Sequence, residues 1–167
     1  VTPTAVAPSG GLFSWWGEGT PAARRALIAA GLGWALDAFD VMLYALVLAS
    51  VIGDLHLTKQ QAGMLGSVAL LAAAGGGIVF GIIADRYGRT KALMGSVLIY
   101  SVATALCGTA TNLWQFASFR ILLGLGMGGE WASGAALVSE TWPVHHRGKA
   151  LGLMQSAWAI GYGTAAL

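Results

Sequence analysis

The stretch "GWALDAFDVMLYALVLASVIG", residues 33–53, decides the fold. It is apolar over about the twenty residues that a helix needs to cross the hydrocarbon core of a bilayer. Yet it carries two acids, Asp37 and Asp40, near its middle. An acid at the centre of a spanning helix costs about 2.5–3.5 kcal/mol on insertion scales, and such residues face a bundle interior or water and pair with one another. Three positions apart, the two acids share one helix face.

The surrounding sequence is of the same kind. The 167 residues are 56% hydrophobic and only 10% charged, with 25 glycines. A soluble domain carries about 25% charged residues, so this chain cannot solvate a globular surface, and an all-α integral membrane protein is expected. The net charge of +2 gives no ground for a nucleic-acid partner, and the basic residues sit between apolar runs. The single cysteine, Cys107, lies within an apolar run, so no internal disulfide forms and the thiol reads as a small packing group.

Working outward, five apolar spans emerge at about 26–52, 62–84, 92–110, 114–141 and 149–167. Residues 1–23, rich in Pro, Gly, Ser and Thr, read as a mobile cytoplasmic tail, within which "LFSWW" (12–16) offers tryptophans suited to the lipid interface. The first apolar run is too long for the core of a signal peptide and reads as an uncleaved anchor. The chain opens on Val1 and stops at Leu167 inside an apolar run, so an incomplete chain is expected. The loops, "GDLHLTKQQ", "DRYGRTK", "TN" and "PVHHRG", are short and make consecutive helices neighbours. Arg24, Arg25, Arg86, Arg89, Lys91, Arg147 and Lys149 collect on one side, and only Lys59 on the other. The positive-inside rule then places the N-terminus in the cytoplasm and the protein in the cell (inner or plasma) membrane as a multi-pass chain.

Four ionisable side chains lie deep in spans: Asp37 and Asp40 in the first, Arg120 and Glu130 in the fourth. At about 1.5 Å rise per residue, Asp37 lies about 18 Å in from Arg25 and Asp40 about 22 Å. Counted back from Thr141, Glu130 lies about 16 Å in and Arg120 about 32 Å. An Arg120–Asp40 interaction is expected, with tilt or water spanning the remaining gap and Asp37 and Glu130 at similar depth. A carboxyl group whose surroundings alternate binds and releases a proton, which couples proton flow to conformational change. The alternative is a static charge network that locks helices together, although two acids on one face exceed what one arginine needs.

"GLGMGG" (124–129) matches the spacing G-x-G-x-x-G, but it sits inside a helical run, with neither the preceding strand nor the following acid that a dinucleotide site requires. Gly124 and Gly128, and likewise Gly77 and Gly81, instead form G-x-x-x-G steps for close helix packing. "VFGIIADRYGRTK" (79–91) sets Gly81, Asp85, Arg86, Gly88 and Arg89 at a tight cytoplasmic turn, where an acid among bases caps helix ends and switches salt-bridge partners.

That loop, "GIIADRYGR" (81–89), resembles the signature between the second and third spans of the major facilitator superfamily. It departs from the pattern only in that Thr90 intervenes and Lys91 supplies the second base one place late. Independently, "LLGLGMGGEWASGAALVSETWPVHHR" (122–147) resembles the sugar-and-metabolite transporter signature at Leu122, Gly124, Leu125, Gly128, Leu137, Glu140 and Arg147, and "RILLGLG" (120–126) resembles the family's Arg-plus-glycine motif. "LDAFD" is similar to the D-x-x-D element of organic-acid proton symporters, and residues 140–161 to the sialic acid and lactate permease branch.

The resemblance implies the major facilitator fold, with residues 24–167 as the first five of twelve transmembrane helices. These would form an incomplete N-terminal six-helix half built on inverted three-helix repeats, with substrate bound near the midplane between halves. It implies that Asp85 contacts the missing C-terminal half and that Glu140 with Arg147 belongs to a cytoplasmic charge network. The function expected is proton-coupled symport of a small organic anion, such as a sialic, monocarboxylic or aromatic acid, by alternating access. A sugar or polyol facilitator of the same fold is the alternative, as is a non-transporting membrane fragment if the chain is naturally short. An enzyme is not expected, because no nucleophile–base pair or ligand cluster is visible, and no cofactor is expected.

Smaller signals complete the reading. His145 and His146 have no third ligand nearby in sequence and read as a solvated turn, so no metal is assigned. Trp114 and Trp142, at the two ends of the fourth span, read as interfacial anchors. Trp34, Trp131 and Trp158 lie deeper, and Trp34, Trp158, Gln155 and Ser156 are candidate substrate contacts.

Overall fold

The computed structural model describes residues 14–167. A short helix α1 (Ser14–Glu18) precedes five longer ones: α2 (Pro21–Asp54), α3 (Lys59–Tyr87), α4 (Arg89–Cys107), α5 (Leu113–Thr141) and α6 (Arg147–Ala165). There is no strand among the described residues. Helices α2–α5 are long and apolar enough to cross a membrane. Helix α6 is 19 residues long but is diluted by glycines and by Arg147 and Lys149. It takes its place in the bundle by packing along α2.

The helix starts follow from local chemistry. Thr20 Oγ1 accepts from Ala23 N at 3.1 Å, with Pro21 in the first turn of α2. Thr58 and Gln61 form a reciprocal capping box at the start of α3, at 2.8 and 3.2 Å. Asn112 Oδ1 caps α5 through Gln115 N at 3.0 Å. A single residue, Gly88, joins α3 to α4 at φ 97° and ψ 146°, a conformation that side chains do not tolerate.

Helix α5 is the hub, packed on α2, α3, α4 and α6. Its glycines explain how so many neighbours fit. A methyl group on Gly124 or Gly128 would strike the Ala69 or Ala73 backbone of α3, and one on Gly126 would stand 2.7 Å from Tyr100 N of α4. Small residues permit such backbone approach in lipid, where packing itself drives association. On α3 the close step is Gly76, which receives the Leu125 backbone, rather than the expected Gly77 and Gly81. Gly77 reaches only ordinary contact distance, 3.6 Å from the Gly128 carbonyl, and Gly81 faces open space. The reason is azimuth: Ala69, Ala73 and Gly76 make the i, i+4, i+7 stripe that faces α5.

Residues 1–13, and with them most of the expected tail, lie outside the described residues. From Ser14 onward the segment read as a mobile tail is helical and packed. The rings of Trp15 and Trp16 lie 5.0 and 5.9 Å from that of Trp142. Arg24 donates to the Trp16 and Gly17 carbonyls, at 2.9 Å each. Trp142 is therefore not an interfacial anchor. It is 1% exposed, and its Nε1–H donates to the Ala23 carbonyl at 3.1 Å. Trp114, 80% exposed, keeps the surface position expected for an anchor.

Candidate functional site

Helices α2 and α5 bring the four deep charges together, and they do so unequally. Arg120 Nη1 lies 3.7 Å from Asp40 Oδ2, within ion-pair distance. Its guanidinium carbon stands 3.9 Å from the centre of the Tyr44 ring, a cation–π position. Tyr44 is one helical turn beyond Asp40, and its hydroxyl donates to the Ala62 carbonyl at 3.2 Å. A cavity of about 250 Å³, with Asp40, Tyr44, Thr104, Cys107, Phe116 and Arg120 in its wall, surrounds this pair.

Asp37 has no such partner. It is 0% exposed, and neither carboxyl oxygen finds a hydrogen bond among the described residues. Glu130, also buried, lies against Gly33, so closely that a methyl group at residue 33 would meet its Oε1. Gly33 and Asp37 are one turn apart on α2, so Glu130 and Asp37 belong to one face. Glu130 Oε1 also lacks a partner among the described residues. Tyr100 of α4 closes the neighbourhood, its hydroxyl donating to the Leu36 carbonyl at 3.2 Å.

On the other side of the acids is a cavity of about 470 Å³, walled by Trp34, Trp131 and the small residues Ala73, Ala74, Gly77 and Gly128. The Trp34 ring lies 4.8 Å from Trp158 and 6.2 Å from Trp131, and Trp158 stacks with Tyr162 at 6.0 Å. Gln155, Trp158 and Tyr162 share one face of α6 by their spacing. Ser156 does not join them. It lines a separate groove with Gly31 and Leu32, and its hydroxyl donates to the Leu153 carbonyl at 2.7 Å. Along α2 the order is thus Trp34 at one cavity, Asp37 between, and Asp40 at the other, in steps of about 4.5 Å.

At the end of the bundle where α3 meets α4, Arg89 bridges two acids. Its Nη1 lies 2.7 Å from Asp85 Oδ1, and its Nε 3.0 Å from Glu140 Oε1. Of the two residues expected in a charge network, Glu140 meets Arg89, and Arg147 Nε donates to the Trp142 carbonyl at 3.3 Å. Arg86 and Gly88 stay exposed at the same turn. The histidines read as a solvated turn meet Glu18 instead, its Oε2 lying 3.2 Å from His145 Nε2 and 3.0 Å from His146 Nε2. The contact with His145, followed by that with His146, holds the Glu18 carboxyl below the usual carboxylate range. Gly33, Tyr44, Tyr100 and Tyr162 were not singled out in the sequence. Gly33, at i−4 from Asp37, Tyr44, at i+4 from Asp40, and Tyr162, at i+4 from Trp158, carry a spacing signal; Tyr100 carries none.

The Major Facilitator Superfamily model matches residues 24–167. A probable 4-methylmuconolactone transporter of Cupriavidus pinatubonensis is 41% identical over 92% of this chain and 36% of its own length. The sialic acid transporter NanX of Escherichia coli is 40% identical over 89% of this chain and 36% of its own. The benzoate transport protein of Acinetobacter baylyi is 34% identical over 88% and 33%. Among solved structures, a bacterial homolog to the human lysosomal transporter Spinster, inward-facing and unoccupied, superposes with a TM-score of 0.81 at 26% identity. That match covers 89% of this chain and 31% of the other. The chain spans about a third of the length of these relatives.

Proposed function

This chain belongs to the Major Facilitator Superfamily, and from that membership we propose that the whole protein carries a small organic carboxylate across the cell membrane together with a proton. The observation that carries the reading is the division of labour between the two aspartates. Asp40 holds Arg120, while Asp37 is fully buried with no partner among the described residues.

An unpaired carboxylate in a dry site costs several kcal/mol, and taking up a proton removes that cost. Asp37 is therefore the proton carrier, with Glu130 beside it. The same charge gives coupling to an anionic substrate. Ionised Asp37 and Glu130 repel a carboxylate entering next to them, so the substrate binds well only after the proton does. The Arg120–Asp40 pair orders α2 against α5 and offers the cation that a substrate carboxylate meets as the pair opens. The tryptophan-walled cavity favours a planar or aromatic acid, since ring stacking adds about 0.5–1.5 kcal/mol beyond area burial.

Residues 24–167 then form most of the N-terminal half, with its N-terminus cytoplasmic. The Gly81–Arg89 loop with Glu140 is a cytoplasmic gate that meets the other half. Relatives described as transporters of muconolactone, sialic acid and benzoate support an organic acid as cargo.

The test uses the full-length protein in liposomes with a trapped pH dye, given benzoate, sialic acid, lactate and neutral sugars in turn. Lumen acidification with one acid, lost in Asp37→Asn, is the expected result. Uptake of a neutral sugar without a pH change, unaffected by Asp37→Asn, would make the acids structural and the protein a facilitator.

A further inference from the structure

We propose that Glu18, His145 and His146 form a zinc site that fastens α1 to the connection between α5 and α6. The three residues come from opposite ends of the chain. Glu18 closes α1, while the two histidines lie in the 3₁₀ turn Val144–His146. One ligand atom from each lies within 4.8 Å of the others.

The spacing suits the ion. With zinc bonds of about 2.0–2.2 Å to nitrogen and oxygen, tetrahedral ligands stand about 3.3 Å apart. The two nitrogen-to-oxygen separations here are 3.0 and 3.2 Å. Adjacent histidines diverge on an α-helix, but in this tighter turn their ring centres are 4.1 Å apart. Glu18 and His145 are exposed, so they are free to close the last separation.

His146 supplies an independent indication. It is 8% exposed, and neither ring nitrogen makes a hydrogen bond among the described residues, although Nε2 stands 3.0 Å from Glu18 Oε2. A buried imidazole without an aligned hydrogen bond is costly. Nitrogen and carboxylate oxygen at that distance, without hydrogen-bond alignment, are disposed as two ligands converging on one ion. Zinc, bound through a nitrogen lone pair of each imidazole, takes the place of the His145–Glu18 contact. Two imidazoles and one carboxylate leave a fourth position for water, and the donor set suits zinc rather than magnesium or calcium. Residues 1–13 contain no His, Cys, Asp or Glu to fill that position.

Occupancy ties the entry of α2, through α1, to the end of α5 and the start of α6. The site is distinct from the buried acids and does not depend on what is transported.

The experiment takes the full-length protein in detergent, purified without a polyhistidine tag and stripped with chelator. Zinc is titrated calorimetrically, and cobalt is added to read tetrahedral coordination in the visible spectrum. One ion per chain is expected. Glu18→Gln and His145→Gln, both at exposed positions, each weaken binding at least about tenfold and abolish the cobalt band, while His56→Gln changes nothing. Absence of stoichiometric zinc binding, or binding that survives both Glu18→Gln and His145→Gln, would overturn the site.

Discussion

Gly33 of α2 lies directly beneath the carboxyl group of Glu130 of α5, so that a methyl group at residue 33 would occupy the place of Glu130 Oε1. The glycine is thus a slot for an acid rather than a backbone contact. It lets Glu130 rest within a turn of Asp37 in the bundle interior.

Gly33→Ala is expected to push Glu130 out of that slot. Overpacking of this kind costs about 1–3 kcal/mol, and the proton-linked uptake proposed for the full-length protein falls at least tenfold. Uptake at the wild-type rate would mean that Glu130 takes no part in transport.

The two aspartates are expected to respond oppositely when neutralised. Asp40→Asn strips the mostly buried Arg120 of its partner, and breaking such a pair costs about 3–5 kcal/mol. Asp37→Asn removes a charge that has no partner and leaves stability unchanged or raised. Thermal unfolding of the full-length protein in detergent distinguishes them. Equal losses would contradict the division of labour.

Gly88 is the whole connection between α3 and α4, at φ 97°. Gly88→Ala is expected to cost about 1–3 kcal/mol in backbone strain, with no lost side-chain contact, since nothing lies within 4 Å of the added carbon. A midpoint equal to wild type would show that the turn relaxes to another conformation.

Trp142 joins the start of α2, the end of α5 and α1. Trp142→Phe loses the hydrogen bond to the Ala23 carbonyl, about 1 kcal/mol. Trp142→Ala loses about 3–5 kcal/mol and releases α1. Hydrogen exchange over residues 14–18 reports that release. Protection that persists in Trp142→Ala would show that Arg24 and Glu18 hold α1 without it.

Much of the molecule is legible along the chain, because the controlling quantities are local. Twenty apolar residues demand a helix in lipid, and depth is a matter of counting 1.5 Å per residue from the nearest basic loop. That arithmetic places Asp37, Asp40, Arg120 and Glu130 deep in the spans but leaves Arg120 about 10 Å beyond Asp40, a gap that the structure closes to 3.7 Å. The loop "GIIADRYGR" likewise announces a tight turn, with Gly88 at its hinge.

What the chain by itself does not carry is azimuth and long-range company. Whether Gly76 or Gly77 meets α5 depends on a rotation of about 100° per residue, and only the neighbouring helix selects it. Glu140 pairs with Arg89 rather than Arg147, and Ser156 turns away from Trp34, for the same reason. Glu18 reaches two histidines 127 and 128 positions away (His145 and His146), and Trp142 is buried by residues near the start of the chain. Hydropathy and rise add up residue by residue, so sequence alone determined that this is a helical membrane protein with acids at its centre. Which acid keeps a partner, and which is left alone, was decided only where α2 and α5 meet.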